Sequence, residues 1–163
     1  MGKPTDLKQA YMAEQLVLSE KTAAALKYSY ARVSEFMPLP KSSSLDEIEP
    51  ESLERLEALA ARFARLADIL VQKLFRAIDA IELVDEGSLL DRLARMEKRG
   101  LIESAAKWRQ IRELRNQVAH DYVVEDLRNL YNDIFKYSAD LIALVPIIES
   151  YAEKIGGIRS QDS

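Results

Sequence analysis

Apolar side chains return every three or four residues along most of this chain, and no stretch alternates apolar with polar at every second position. A period near 3.6 marks one face of an α-helix, whereas a half-buried strand needs a period of two. The chain is therefore expected to be all-α. The clearest stripe is Leu56, Leu59, Phe63, Leu66, Leu70, Leu74 and Ile78, on a helix expected over Leu53 to Leu83. A second run, Leu127, Tyr131, Ile134, Ser138, Leu141, Val145, Ile148, Ala152 and Ile155, alternates steps of four and three, the spacing of a bundle seam. It lies on a helix expected from Glu125 to Ile155. Pro146 inside that helix removes one backbone bond and crowds Ile142, so a kink is expected there.

The remaining segments complete the same architecture. A first long helix is expected from Asp6 to Met37, opened by a Thr5/Asp6 cap and carrying Leu16, Ala23, Leu26, Tyr30, Val33 and Met37 inward. Pro38 to Ser52, PLPKSSSLDEIEPES, holds three prolines and a serine run and reads as a loop. Gly87 and Ser88 open a short helix through Lys98, which Gly100 ends. Ser104 is a good N-cap for the next helix, through His120. The expected fold is an antiparallel helical bundle of three long and two shorter helices over residues 6–155. A short tail, 1–5, precedes it, and a frayed tail, 156–163, follows it. At 163 residues and 18.5 kDa this is one domain's worth of chain.

Composition narrows the chemistry. Apolar residues make up 48% and charged residues 31%, as in ordinary globular domains rather than disordered chains. With no cysteine, disulfides, thiol nucleophiles, iron–sulfur clusters and Cys-containing zinc sites are excluded. A single histidine excludes HExxH and every multi-His metal site. Neither GxxxxGK nor GxGxxG occurs, so the standard phosphate-cradling loops are missing. No apolar run approaches the roughly 18 residues of a membrane span, and the N-terminal MGKPTDLKQ has no secretory apolar stretch. A cytoplasmic protein without membrane contact, metal or cofactor is expected.

The net charge is −4, yet one segment runs the other way. Arg92 to Arg115 holds eight basic residues against three acidic ones, a local excess of five positive charges. Such asymmetry fits a phosphate-facing patch, and it equally fits a solvated helix face laced with ion pairs. Within it lies the only histidine, in RQIRELRNQVAHDY, Arg109 to Tyr122. At about 100° per residue, with Arg112 at zero, Arg115 falls near roughly −60°, Ala119 near −20°, Asn116 near +40° and His120 near +80°. Ile111, Leu114 and Val118 occupy a separate arc and can face the core. One face packs, and its neighbour presents two guanidiniums, an amide and an imidazole, with the small Ala119 leaving room between them. Two arginines three residues apart repel, and an anion between them turns that repulsion into affinity. A lone histidine near a helix end also serves as a dipole-stabilised or capping residue.

Arg115-Asn116-x3-His120-x-Tyr122 resembles the signature of the HEPN superfamily, in which an Arg, a polar residue, a short spacer and a His lie near the end of a helix in a small bundle. The added x-Tyr is similar to the Arg-x4-His-x-Tyr motif of HepT toxins, which are paired with MNT-type minimal nucleotidyltransferase antitoxins. The preceding RLARMEKRGLIESAAKWRQIRELRN resembles the helical lead-in of HepT-like proteins, so the likeness covers about Ser88 to Leu130. It implies a HEPN-like bundle acting as a metal-independent endoribonuclease, with its active site shared across a homodimer cleft. By that resemblance His120 moves the proton of a 2′-hydroxyl or of the leaving oxygen, which an imidazole with a free pKa of about 6.5 can do at neutral pH. Arg115 stabilises the charged phosphorane, and Asn116 orients His120 or the phosphate. One histidine is poorly suited to be acid and base at once, which favours a two-fold dimer. Tyr122 is implied as the acceptor of AMP from the nucleotidyltransferase, an adduct that blocks the cleft and repels RNA. Lys107, Arg109 and Arg112 are candidate RNA-phosphate contacts. The alternatives are a non-catalytic HEPN-type nucleotide-binding or partner subunit of a nucleotidyltransferase, and a plain helical adaptor.

Overall fold

The computed structural model describes residues 4–40, 47–120 and 127–156 of the 163-residue chain. The serine run of the Pro38–Ser52 loop, the modification candidate Tyr122 and the tail from residue 157 fall outside the described residues. The chain forms α1 (Pro4–Val33), α2 (Pro50–Asp68), a π-helical turn (Ile69–Leu74), α3 (Phe75–Ile81), α4 (Leu89–Lys98), α5 (Ala105–Ala119) and α6 (Leu127–Gly156). Among the described residues there is no strand. The backbone stays helical at both edges of the π turn, at Ile69 and Phe75, so α2, the turn and α3 make one long element. The three-long, two-short pattern is thus present, and α6 runs unbroken through Pro146.

The widened turn has a cause in the stripe it carries. Leu66, Leu70, Leu74 and Ile78 follow one another at steps of four. In a regular helix each such step drifts by about 40°, so three steps would carry the stripe well off the core. A turn with i→i+5 bonds takes up that drift. All seven stripe residues, Leu56 through Ile78, are fully buried.

Polar pairs set the helix directions. Arg62 of α2 donates to the Ala25 carbonyl and to Ser29 Oγ of α1, and Lys8 Nζ reaches the Ala80 carbonyl at 3.2 Å, so α1 runs antiparallel to α2–α3. Tyr30 stacks on Phe135 with centroids 4.6 Å apart at the start of α6. On the other side, Tyr137 donates to Gln110 Oε1 at 2.9 Å and Phe75 packs on Trp108 at 5.7 Å. α1 and α5 therefore run one way, and α2–α3 and α6 run the other. The α2 and α6 elements lie between α1 and α5. Asp79 of α3, only 1% exposed, accepts from Arg95 at 2.9 Å and Arg99 at 2.7 Å and fastens α4 across the bundle.

The helix ends correct several expected boundaries. Pro50 suits a first turn, where its missing N–H costs nothing, and α2 starts there rather than at Leu53. Pro4 opens α1, ahead of the expected Thr5/Asp6 cap. α1 stops at Val33 rather than Met37; Phe36 and Met37 donate back to the Val33 carbonyl and fold the chain into a turn. Leu39 beyond it is held by Asn132 of α6, which accepts from the Leu39 N–H at 2.8 Å and donates to its carbonyl at 3.1 Å. Ser88 forms a capping box with Asp91, and Ser104 accepts from the Lys107 N–H. Gly100, at φ +76°, closes α4 with paired bonds from Gly100 N to Glu97 O and Leu101 N to Met96 O. Leu83 at φ +60° closes α3 with the same two bonds, from Leu83 N to Ala80 O and Val84 N to Asp79 O. A leucine is strained in that left-handed conformation by about 1–2 kcal/mol.

Two predictions follow from these helices. Leu83→Gly relieves the strain and removes a side chain that is 79% exposed. It is expected to raise stability by roughly 1 kcal/mol, read as a higher urea midpoint with unchanged slope. The second concerns α1 and α6, where burial, then the hydrogen bond and charge of Glu20, and then Glu153, push the Glu149 carboxyl up to about 7 from its ordinary 4.5. The folded chain keeps a proton there that the unfolded chain releases near 4.5. This contribution is full below that value and is lost as pH rises through about 7. Glu149→Gln should flatten thermal stability across that window and exceed the parent above it.

Candidate functional site at the end of α5

α5 turns Trp108, Ile111 and Leu114 into the core, with Val118 half-buried behind them. This is the packed arc expected from the helical wheel. The adjacent arc carries Arg112 and Arg115, and both reach Asp68, the last residue of α2. Arg115 Nε and Nη2 donate to Asp68 Oδ1 and Oδ2 at 2.6 and 2.7 Å, a two-pronged pairing of guanidinium and carboxylate. Arg112 Nη1 donates to Oδ1 at 3.1 Å. The hydrogen bond it donates to Asp68 raises the Arg115 guanidinium above its ordinary pKa against the opposing effect of burial. Arg115 Nη1 also donates to Asn116 Oδ1 at 3.4 Å, which brings Arg115 and Asn116 together. The anion that a pair of neighbouring arginines attracts is, in part, supplied by the chain itself.

His120 closes the helix. Its N–H donates to the Asn116 carbonyl at 3.1 Å, but its own backbone is extended at φ −103°, ψ 121°. The helix thus ends at Ala119, one residue earlier than expected, and the extended ψ of His120 turns the chain that follows. The residue is exposed, as are Ala119 before it and Gln117. His120 thus lies at the exposed end of α5, one turn beyond the Arg115–Asn116 pair.

The three basic candidates separate. Arg112 shares Asp68 with Arg115. Lys107 is turned to α6, where Nζ meets Asp140 Oδ1 at 2.5 Å, with Glu103 at 3.6 Å, and that pairing raises its pKa. Arg109 is exposed and borders a shallow groove with Leu90, Ala106, Gln110 and Glu113 between α5 and the start of α4. Among the described residues no group of three or more His, Cys, Asp or Glu side chains is placed to hold a metal, and no helix is long and apolar enough to cross a membrane. No family model, curated protein or solved structure matches the chain.

Asp68 was not among the residues singled out from the sequence. Its signal was there: it is an acid placed between Leu66-Ala67 and Ile69-Leu70-Val71, in a stretch otherwise committed to the core. Asp79 stands likewise between Ile78 and Ala80. Removing the Asp68 charge leaves two guanidiniums of α5 without their carboxylate. With these side chains a quarter to a third exposed, Asp68→Asn is expected to lower stability by about 1–2 kcal/mol. Arg112→Met, which breaks one bond only, should cost less, and chemical denaturation of the two variants checks the order.

Proposed function

We propose that the chain is a HEPN-type protein and, within that class, a HepT-like toxin of a toxin–antitoxin pair. On this reading it is a cytoplasmic, metal-independent endoribonuclease that works as a homodimer. An MNT-type nucleotidyltransferase partner switches it off by transferring AMP to Tyr122. The observation that carries the reading is the Arg115-Asn116-x3-His120-x-Tyr122 motif at the end of α5, in an all-α bundle, with His120 exposed and the Arg115 guanidinium held one turn away.

The chemistry needs few groups. His120 takes the proton of a 2′-hydroxyl, the 2′-oxygen attacks phosphorus, and the P–O5′ bond breaks as the 5′-oxygen takes a proton from the second imidazole of the homodimer. A 2′,3′-cyclic phosphate and a 5′-hydroxyl result. Arg115, with Nε and Nη2 turned to Asp68, keeps Nη1 toward Asn116, where it can meet a phosphate oxygen as charge builds. Asp68 is a positioning residue, since it acts through Arg115.

One observation favours a non-catalytic partner subunit as a second reading. The outward side of α1 exposes Leu7, Tyr11, Leu18 and Tyr28, and α1 lies across the bundle from α5. A copy docked there would hold the two His120 rings apart, whereas a nucleotidyltransferase could use that surface with no cleft at all.

Purified parent and His120→Ala, incubated with single-stranded RNA in EDTA, test the first reading. Cleavage by the parent and a loss of about 10²-fold or more in the variant are expected. Equal rates, or no cleavage by either, would remove the catalytic role. Asp68→Asn should slow cleavage without altering its pH profile, because Asp68 moves no proton.

A further inference from the structure

Arg92 on α4 is 9% exposed, deeper than any other basic residue among those described. No described side chain or carbonyl accepts from its guanidinium. The carboxylates nearby are occupied: Asp79 by Arg95 and Arg99, and Asp68 by Arg112 and Arg115. Yet none of the unpartnered nitrogens sealed from water belongs to Arg92, so its N–H groups still open on solvent. The stem is buried and the fork opens at the surface.

The register of α3 and α4 supplies the neighbour. Asp79 pairs with Arg95, and Glu82, one turn on, pairs with Arg99. One turn back along both helices, Arg76 meets Arg92. Arg76 is exposed and, among the described residues, has no carboxylate partner. Burial first, and then the charge of Arg76, lower the Arg92 pKa; Arg95 and Arg112 push the same way, against Asp79. A buried guanidinium among like charges is costly until an anion meets it.

We propose that Arg92, with Arg76 and Arg112 beside it, binds a phosphate group where α3, α4 and α5 converge. The guanidinium fork matches phosphate oxygens in two prongs, and three elements contribute one arginine each. Arg112 precedes His120 by eight residues, about 12 Å along a helix. An RNA strand spans that distance within a few nucleotides. A phosphate from an RNA strand crossing His120 can occupy the site, and as an RNA subsite it rests on the ribonuclease reading. A nucleotide phosphate fits the same chemistry without that reading.

The test compares thermal unfolding of the parent, Arg92→Gln, Arg76→Gln and His120→Ala in chloride and in inorganic phosphate at matched ionic strength. Phosphate should raise the parent's Tm by several degrees. The rise should be nearly abolished in Arg92→Gln, reduced in Arg76→Gln and kept in His120→Ala. Arg76→Gln alters an exposed side chain only, so the folded state does not hinge on it. Equal rises in all four proteins overturn the site. Calorimetry with AMP and with a single-stranded RNA tetranucleotide then names the source. A tenfold or greater loss in Arg92→Gln for the RNA alone assigns a backbone phosphate, and for AMP alone a nucleotide. Unchanged affinity for both overturns the site. Cleavage that survives in His120→Ala removes the ribonuclease reading and leaves the phosphate site standing.

Discussion

The Asp68 carboxylate is the point on which the candidate site depends. Arg112 and Arg115 stand three residues apart on α5, and two guanidiniums so placed repel. A carboxylate between them reverses the sign, and it does so from the end of α2, at the junction with the π turn. The position of that acid therefore couples two things that look unrelated. The widened turn keeps Leu70, Leu74 and Ile78 in the core. The same change of helical register sets where Asp68, on one side of the turn, and Asp79, on the other, meet the following helices. Asp79 repeats the arrangement with Arg95 and Arg99, four residues apart on α4. One long helix with two acids thus gathers two arginine pairs, and α4 and α5 are fastened through charge as well as through apolar contact.

This pairing resolves what the basic segment from Arg92 to Arg115 is. Of the two readings, a phosphate-facing patch and a helix face laced with ion pairs, the ion pairs are present, and most of them run to other helices. Arg95, Arg99, Lys107, Arg112 and Arg115 turn to carboxylates on other elements, Asp79, Asp140 and Asp68. The salt bridges are partly buried, where each lost partner leaves a charge uncompensated. What remains for an outside anion is narrower than the sequence excess suggests. It consists of Arg92 with Arg76, the exposed Lys98 and Arg109, and the part of the Arg115 fork that Asp68 leaves unused.

Much of the fold was legible because burial follows period. The seven-residue stripe of α2–α3, the seam of α6 and the inward arc of α5 could be read directly, and Ser88, Gly100 and Ser104 marked helix ends through bonds that are local in sequence. Partnership between elements was not legible, since Asp68 with Arg115 depends on how two helices are set side by side. The run of four-residue steps from Leu66 to Ile78 was the available clue that the helix is widened there. Met37 misled the reading of α1 because a turn can return an apolar residue to the core as well as a helix can. Leu83 gave no sign of a helix end, for the conformation it adopts is one that glycine normally marks. At the site, the arc holding Arg112, Arg115 and Asn116 was readable, and His120 caps the helix one residue before its expected end.

The surfaces of the bundle then divide by chemistry. α1 is apolar on two sides, so its inner residues Met12, Leu26 and Val33 fill the core while Leu7, Tyr11, Leu18 and Tyr28 stay outside. α5, on the far side, exposes a helix end with an imidazole and a partly engaged guanidinium. A homodimer built to join two imidazoles must pair surfaces around the end of α5, because an isologous contact through α1 places the two rings on opposite outer faces. If the proposed chemistry operates, α1 is left open in the dimer, and an apolar face left open fits a partner that binds without filling the cleft. On the proposed reading such a partner stays attached while RNA enters and leaves, and control comes from the charge added at Tyr122 rather than from a protein lodged over the cleft.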